Sequence, residues 1–125
     1  MADVPVVTVL TPVYNEAAGL SAFEEAVRRA LFSRTDCHVQ VLFVEDGSTD
    51  DSWSRIQALA ARDARFRGIR LSRNYGSHVA ISAGFAHATD ADAVATLACD
   101  LQDPPEVVSQ FIDTWMAGEI GRAHV

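Results

Sequence analysis

The stretch Leu97-Ala98-Cys99-Asp100-Leu101-Gln102-Asp103-Pro104-Pro105-Glu106 decides the fold. An apolar run that includes Val94, Ala95, Leu97, Ala98 and Cys99 stops abruptly at Asp100, Gln102 and Asp103. Two prolines and a glutamate then open a helical pattern. Apolar strand, polar turn and helix form the repeating unit of an open α/β sheet, and such sheets carry their ligands at the carboxyl ends of the strands.

Outward from this stretch the same unit recurs. Val6 to Thr11 is short, apolar and β-branched, and reads as a buried strand followed by the turn P-V-Y-N-E at 12–16. From Ala17 to Arg34, Leu20, Phe23, Ala26, Val27, Ala30 and Leu31 recur at helical spacing, with glutamates early and arginines late, as a helix dipole favours. Ser21 with Glu24 fits a capping box. Val39 to Val44 is a second strand ending in E-D-G-S-T-D-D-S, 45–52. Asp50 or Asp51 is placed to cap the helix that buries Trp53, Ile56, Leu59 and Ala60.

Ile69 to Ser72 reads as a third strand leading into R-N-Y-G-S-H, 73–78, and Val79 to Ala88 as a helix of small residues. Asp92 to Cys99 is the fourth strand, and Pro104 opens a helix with Val107, Val108, Phe111, Ile112 and Trp115 on one face. Four such repeats predict an α/β fold with a mainly parallel sheet and helices on both faces. The polar clusters at 14–16, 45–52, 73–78 and 100–103 each follow a strand, so all four converge on one rim.

Composition sets the outer limits. With 125 residues, 49% hydrophobic and 22% charged, the chain is one soluble globular unit. A net charge of −7 argues against nonspecific nucleic-acid binding, which needs a basic surface. Cys37 and Cys99 offer neither a disulfide framework nor zinc-ligand spacing, and free thiols suit a reducing cytoplasm. The N-terminus lacks a signal-peptide pattern, and no apolar run approaches the roughly 20 residues that span a bilayer. The expected location is cytoplasmic.

Asp100 and Gln102 are oxygen donors two apart, able to face one side of an extended segment. Mg²⁺ or a similar hard cation binds through one or two carboxylates completed by phosphates and water, so one aspartate with an amide helper suffices beside a diphosphate. The alternative is that Asp100 and Asp103 cap the helix opening near Pro104. Asp46 follows a strand directly and can accept bonds from a nucleobase or a ribose hydroxyl, or serve only in a turn. Arg73 can hold a phosphate by paired hydrogen bonds or stay solvated in its loop. Tyr14 can pack on a base or simply edge the core. Dinucleotide and P-loop fingerprints are both absent, and no spacing supports a Ser-His-Asp or Cys-His nucleophile.

Taken together, V-T-V-L-T-P-V-Y-N-E (7–16), V-E-D-G-S-T-D-D-S (44–52), L-S-R-N-Y-G-S-H-V-A-I-S-A-G-F-A-H-A (71–88) and D-L-Q-D-P-P-E (100–106) resemble the family 2 glycosyltransferases. Within them the likeness is to the polyprenyl-phosphate branch, such as dolichyl-phosphate mannose synthase and bactoprenol glucosyltransferase. It covers residues 4 to about 118. The resemblance implies a GT-A, Rossmann-like fold, a UDP- or GDP-sugar donor, inversion at the anomeric carbon, a lipid-phosphate acceptor and Mg²⁺ or Mn²⁺. It matches Pro12, Tyr14 and Glu16 to the first nucleotide-contacting turn and Asp46 to the carboxylate near base and ribose. Arg73 and Asn74 match the loop flanking the donor site, Asp100 with Gln102 matches the metal and diphosphate position, and Asp100 is the catalytic position. Many relatives read D-x-D-L-Q, whereas Ala98 stands in the first aspartate's place here, which implies weak affinity for free metal.

Family members continue past the W-x-x-G at Trp115 to Gly118 into an acceptor half and often membrane helices. The expectation is therefore that 1–119 is the nucleotide-sugar-binding part of a longer enzyme, inactive alone, whose parent works at the cytoplasmic face of the membrane. The final E-I-G-R-A-H-V fits no family pattern, and its back-translation GAG ATC GGA AGA GCA CAC GTC contains a common sequencing-adaptor sequence. Residues 120–125 are accordingly expected to be a non-native read-through tail. Two other readings compete: a non-catalytic nucleotide-binding module, and a sugar-1-phosphate nucleotidyltransferase, which would need a glycine-rich basic loop where P-V-Y-N-E stands.

Overall fold

A computed structural model describes residues 4–118, so the expected tail at 120–125 lies outside the described residues. Strands and helices alternate as β1 (Val6–Val13), α1 (Leu20–Val27), β2 (His38–Glu45), α2 (Ser52–Arg62), β3 (Phe66–Arg70), α3 (Ser77–Ala86), β4 (Ala93–Thr96) and α4 (Glu106–Met116). The four strands form a parallel sheet in the order β3-β2-β1-β4.

Alternation along each strand sends side chains to opposite faces. Val7, Val9 and Val13 of β1 and Val39, Val41 and Phe43 of β2 meet α1, α2 and α4 in the main core, through Phe23, Val27, Ile56, Leu59, Val108 and Ile112. Leu10 and Val44 point the other way, into a smaller cluster around Ala80 of α3. Helices thus cover both faces, as expected. Phe43 sits centrally, with ring centroids 5.7 Å from Phe23 and 6.0 Å from Phe66. Truncating it to alanine would cost about 3–5 kcal/mol.

Several boundaries differ from expectation for physical reasons. β1 runs through Pro12 to Val13. Leu97 N donates to Leu10 O and Asp46 N to Val13 O, so even residues of β1 bond toward β4 and odd ones toward β2. The missing N–H of Pro12 therefore faces the side where β4 has already ended, and no ladder bond is lost. β3 begins at Phe66 rather than Ile69, because Phe66 pairs with Val41 and reaches the aromatic core. β4 spans only Ala93–Thr96, although Asp92 N and Leu97 N extend its bonding to Val6 O and Leu10 O.

The first helix is likewise less regular than its periodicity predicts. A 3₁₀ turn at Ala17–Gly19 precedes α1, whose N-cap is Gly19 without a side-chain bond, so the Ser21 and Glu24 capping box does not form. A π turn at Arg28–Phe32 follows it. α3 starts at Ser77, two residues before the expected Val79, and α4 at Glu106. Val107 is 42% exposed and leaves the buried face of α4. Asp103 is not the cap of α4 either, since the N-cap position is Pro105 and carries no side-chain cap.

Candidate functional site

The chain steps outward from β1 to β2 to β3 and then returns to place β4 on the other side of β1. That reversal opens a crevice at the carboxyl ends of β1 and β4, the position where open α/β sheets bind ligands. Beside it, at the carboxyl ends of β1 and β2 and the loop before α3, lies a cleft of about 380 Å³ lined by Pro12, Val13, Tyr14, Glu16, Asp46, Asn74, Gly76 and Ser77. A hollow of about 540 Å³ lies at the opposite edge, between Val4, Pro5 and Asp92 and the last residues of α4, Trp115 and Met116. Among the described residues it holds one carboxylate and no converging polar groups, so the switch-point cleft is the candidate site.

Five residues singled out from sequence, Pro12, Tyr14, Glu16, Asp46 and Asn74, thus share one cavity. Arg73, Asp100 and Gln102 do not line it. All three are exposed, and the charge of Asp100 adds to burial in raising the pKa of the Glu16 carboxyl.

Backbone–side-chain bonds stitch the rim loops together, and periodicity gave no sign of them. Asn15 adopts φ +53°, a conformation asparagine tolerates better than most residues. Its Oδ1 accepts from Thr49 N at 2.8 Å and Asp50 N at 3.3 Å. In return Ser48 Oγ accepts from Asn15 N, Ser52 Oγ from Glu16 N and Asp50 Oδ2 from Ala17 N, at 2.8, 3.0 and 3.2 Å. Asp50 also accepts from Ser52 N at 2.9 Å, opening α2. The bond from the Ser52 hydroxyl leads in holding the Asp50 carboxyl below its ordinary pKa. Asp51 instead pairs with Arg55 at 3.2 Å. The asparagine after Tyr14 was the one available signal for this clasp.

Glu45 and Asp46, adjacent at the end of β2, face opposite sides. Glu45 is fully buried and accepts from Ser48 N at 2.5 Å and from Arg70 Nε at 3.1 Å. It is a structural ion pair that sequence reading missed. Asp46, 3% exposed, accepts from Tyr75 N at 2.8 Å, Gly76 N at 3.0 Å and Asn74 Nδ2 at 3.1 Å. Gly47 lies so close to the same loop that a Cβ there would stand 2.3 Å from Asn74 N.

The fourth loop is built locally. Asp100 Oδ1 accepts from Gln102 N at 3.1 Å, an Asx turn, while Leu101 is held at φ +62°. A left-handed conformation costs a leucine about 1–2 kcal/mol, and such strain concentrates at functional turns. This arrangement fixes the Asp100 carboxylate and leaves Oδ2 without a protein hydrogen bond among the described residues. Burial raises the pKa of Glu16, and the charges of Asp100 and Asp50 raise it further. Burial, then Glu16 and Asp100, push the Cys99 thiol up to about 12. One end of the cleft is therefore acidic. Among the described residues no three His, Cys, Asp or Glu side chains are grouped to hold a metal. The donor set fits a cation only as one or two protein oxygens completed by oxygens of a ligand.

A parallel sheet with a switch-point cleft and an acidic Asx turn after its last strand makes this a Rossmann-like α/β domain with its candidate ligand site at the carboxyl ends of the strands. The family profile for glycosyl transferase family 2 matches residues 8–121, and the chain belongs to that family. It is 40% identical over 117 residues to the undecaprenyl-phosphate 4-deoxy-4-formamido-L-arabinose transferase of Aeromonas hydrophila, covering 93% of this chain and 35% of that protein. It is 37% identical over 113 residues to the prophage bactoprenol glucosyl transferase homolog of Escherichia coli K12, covering 90% of this chain and 36% of that one. The chain thus spans about a third of the length of the curated relatives it matches. Among solved structures, a mannosyltransferase from Pyrobaculum calidifontis in complex with GDP-Man and Mn²⁺ superposes with a TM-score of 0.71. That match is 23% identical and covers 91% of this chain and 33% of the other.

Proposed function

We propose that this chain is the donor-nucleotide-binding part of an inverting glycosyltransferase. Its parent transfers a sugar from a UDP- or GDP-sugar to a polyprenyl phosphate. The observation that carries the reading is the cleft itself. The P-V-Y-N-E turn, Asp46 and Asn74 share one cavity at the switch point, and Asp100 lies close enough to perturb Glu16. Two family relatives, one named as an undecaprenyl-phosphate sugar transferase and one as a bactoprenol glucosyl transferase homolog, each matching about nine-tenths of this chain, support the acceptor class.

In this reading Tyr14, 46% exposed at the cleft, offers its ring to the base, and Pro12 and Val13 form the apolar floor. Arg73 faces the phosphates. Asp100 and Gln102, with the donor's diphosphate oxygens, would hold Mg²⁺ or Mn²⁺. Such a cation, when bound, offsets the negative charge of the departing diphosphate. A phosphate acceptor is already anionic near neutral pH, so the site must position it rather than deprotonate it. No side chain of the cleft is assigned as a general base.

Nuclear magnetic resonance titration of the chain with UDP and GDP, with and without Mn²⁺ or Mg²⁺, tests the binding half of the proposal. Saturable shifts at Tyr14, Glu16 and Asn74, with Kd of about 1 mM or tighter in the presence of metal, are expected. No shift at these residues with either nucleotide would overturn it. A second reading, a non-catalytic nucleotide-binding module, draws on Ala98 and on the lack, among the described residues, of a group of three His, Cys, Asp or Glu side chains. It predicts that Asp100→Ala leaves nucleotide affinity unchanged, whereas the transferase reading predicts a loss of the metal-dependent part.

A further inference from the structure

We infer that Asn15 is a positioning residue: it pins the 12–17 turn to the 48–52 loop and so aims Tyr14 and Glu16 into the cleft, without touching a ligand itself. The inference rests on the nucleotide reading of the cleft and gives a task to a residue which that reading leaves idle.

Tyr14 and Glu16 line the cleft, whereas Asn15 between them does not. At 46% exposure the Tyr14 ring is little constrained by packing, so its direction depends on the backbone that carries it. That backbone passes through φ +53° at Asn15. Apart from glycine, asparagine and aspartate enter this region most readily, because a short polar side chain can bond locally.

The Asn15 side chain is turned to the neighbouring loop. Its Oδ1 accepts from Thr49 N at 2.8 Å and from Asp50 N and Thr49 Oγ1 at 3.3 Å. Three successive amides of the turn answer it: Asn15 N donates to Ser48 Oγ, Glu16 N to Ser52 Oγ and Ala17 N to Asp50 Oδ2. Backbone N–H groups of both segments are thus satisfied only while the two stay together, and leaving such groups unpaired is costly.

The loop is the fixed side of this clasp. Ser52 is fully buried at the start of α2. Ser48 N donates to Glu45, which is fully buried at the end of β2 and ion-paired with Arg70. A line of contacts therefore runs from the buried Glu45 through Ser48 to Asn15, and from there to the two cleft residues on either side of it. Glycine at position 15 would accept the φ but supply no acceptor. Aspartate would supply both, yet add a negative charge next to Asp50 at the acidic end of the cleft.

The test reads nucleoside affinity, because an uncharged ligand is indifferent to that added charge. Uridine and guanosine are titrated into wild type, Asn15→Gly, Asn15→Asp, Ser48→Ala and the Asn15→Gly/Ser48→Ala double variant, under conditions where each is folded, and amide shifts are followed. Asn15→Gly should lose about tenfold and Ser48→Ala about fivefold, the double should lose less than their product, and Asn15→Asp should restore affinity to within about threefold of wild type. Wild-type affinity in Asn15→Gly, with only its unfolding midpoint lowered, would reduce Asn15 to a stabilising residue and overturn the inference. An Asn15→Asp loss as large as that of Asn15→Gly would overturn it too, since the acceptor oxygen is retained. Ser48→Ala keeps the question open to measurement if Asn15→Gly does not fold, and wild-type affinity there has the same adverse meaning. Should wild type bind neither nucleoside nor diphosphate, the functional reading falls, and hydrogen exchange still judges the clasp. Glu16 and Ala17 keep their own acceptors in Asn15→Gly, so faster exchange at these two amides upholds the clasp and unchanged rates refute it.

Discussion

Replacing Gly47 by alanine tests whether the close approach of two rim loops constrains the fold. Two costs apply. Gly47 sits at φ +72°, where an L-residue pays about 1–2 kcal/mol. Its new Cβ would stand 2.3 Å from Asn74 N, 2.4 Å from Arg73 C and 2.9 Å from Arg73 Cα. All three are backbone atoms, so no side chain can swing aside, and the loop must retreat by about 1 Å against the Asp46 bonds. Overpacking of this kind adds about 1–3 kcal/mol. Gly118→Ala supplies the control, because φ is +79° there and nothing lies within 4 Å. Urea unfolding should give about 1 kcal/mol for Gly118→Ala and about 2–5 kcal/mol for Gly47→Ala, with unchanged slopes. A domain of this size is worth only about 5–15 kcal/mol, so the larger value is a substantial fraction of it. Equal losses within about 0.5 kcal/mol would show that the two loops are free to separate, and would remove the steric half of the reasoning.

Three further predictions concern charge and thiols. The Asp63 carboxyl, bonded by Arg65 and Arg28, is held well below the ordinary range, and Asp36 and Asp50 are also lowered. A depressed folded pKa contributes stability in full above the unfolded value of about 3.9 and loses it as pH falls further. The urea midpoint should therefore hold between pH 6 and 8 and drop below about pH 4, with a shallower drop in Asp63→Asn; an unchanged slope in that variant would count against it. Glu16, whose pKa is raised, works in the opposite direction and blunts the acid loss. Burial raises the pKa of both thiols, Cys99 to about 12, so neither should react with a disulfide reagent at pH 8 until urea unfolds the chain. Rapid native labelling would contradict the packing. Asp100→Asn should leave the unfolding midpoint within about 0.5 kcal/mol of wild type, as surface changes do, while abolishing the metal dependence of diphosphate binding. Calorimetry with Mn²⁺ alone should show no tight site in either protein.

The β1 and β2 strands were legible because V-V-T-V-L-T and V-Q-V-L-F-V are mostly apolar and rich in β-branched residues. β3 was not, because F-R-G-I-R carries an arginine at every third position and a glycine where the sheet meets Trp53 and Ile56. Its start is set by Phe66 stacking on Phe43, a contact between residues 23 apart that local pattern cannot show. The π turn after α1 has a tertiary partner too, since it ends on Phe32, whose ring centroid lies 5.2 Å from that of Phe66. At the site, residue types were legible but the allocation of their bonds was not. An aspartate after a strand looks the same whether its oxygens await a ribose or hold Tyr75 and Gly76. Glu45 passed unnoticed for the same reason: only the fold shows that it is fully buried.

The charge arrangement carries the remaining step of the argument. On the proposed reading a diphosphate entering this cleft meets Glu16, Asp50 and Asp100 at one end, where burial and then the charges of Asp100 and Asp50 already raise the Glu16 pKa. Two like charges 4 Å apart repel by about 1 kcal/mol in water and about 4 kcal/mol at the effective dielectric of a protein surface. Arg73 is the one described arginine not already paired with a carboxylate, and a single guanidinium cannot offset several such terms. On the proposed reading, a divalent cation must arrive with the diphosphate, because neither partner alone finds enough opposite charge. The Asx turn at Asp100 suits that requirement: it orients a single carboxylate, leaves one oxygen open, and supplies too few ligands to retain a metal without its substrate. Ala98, in place of a second acid, has the same consequence. On the proposed reading the acidic end of the cleft then disfavours bare nucleotide and favours the metal-bound form, which gives the ion a part in donor binding as well as in offsetting the charge of the departing diphosphate.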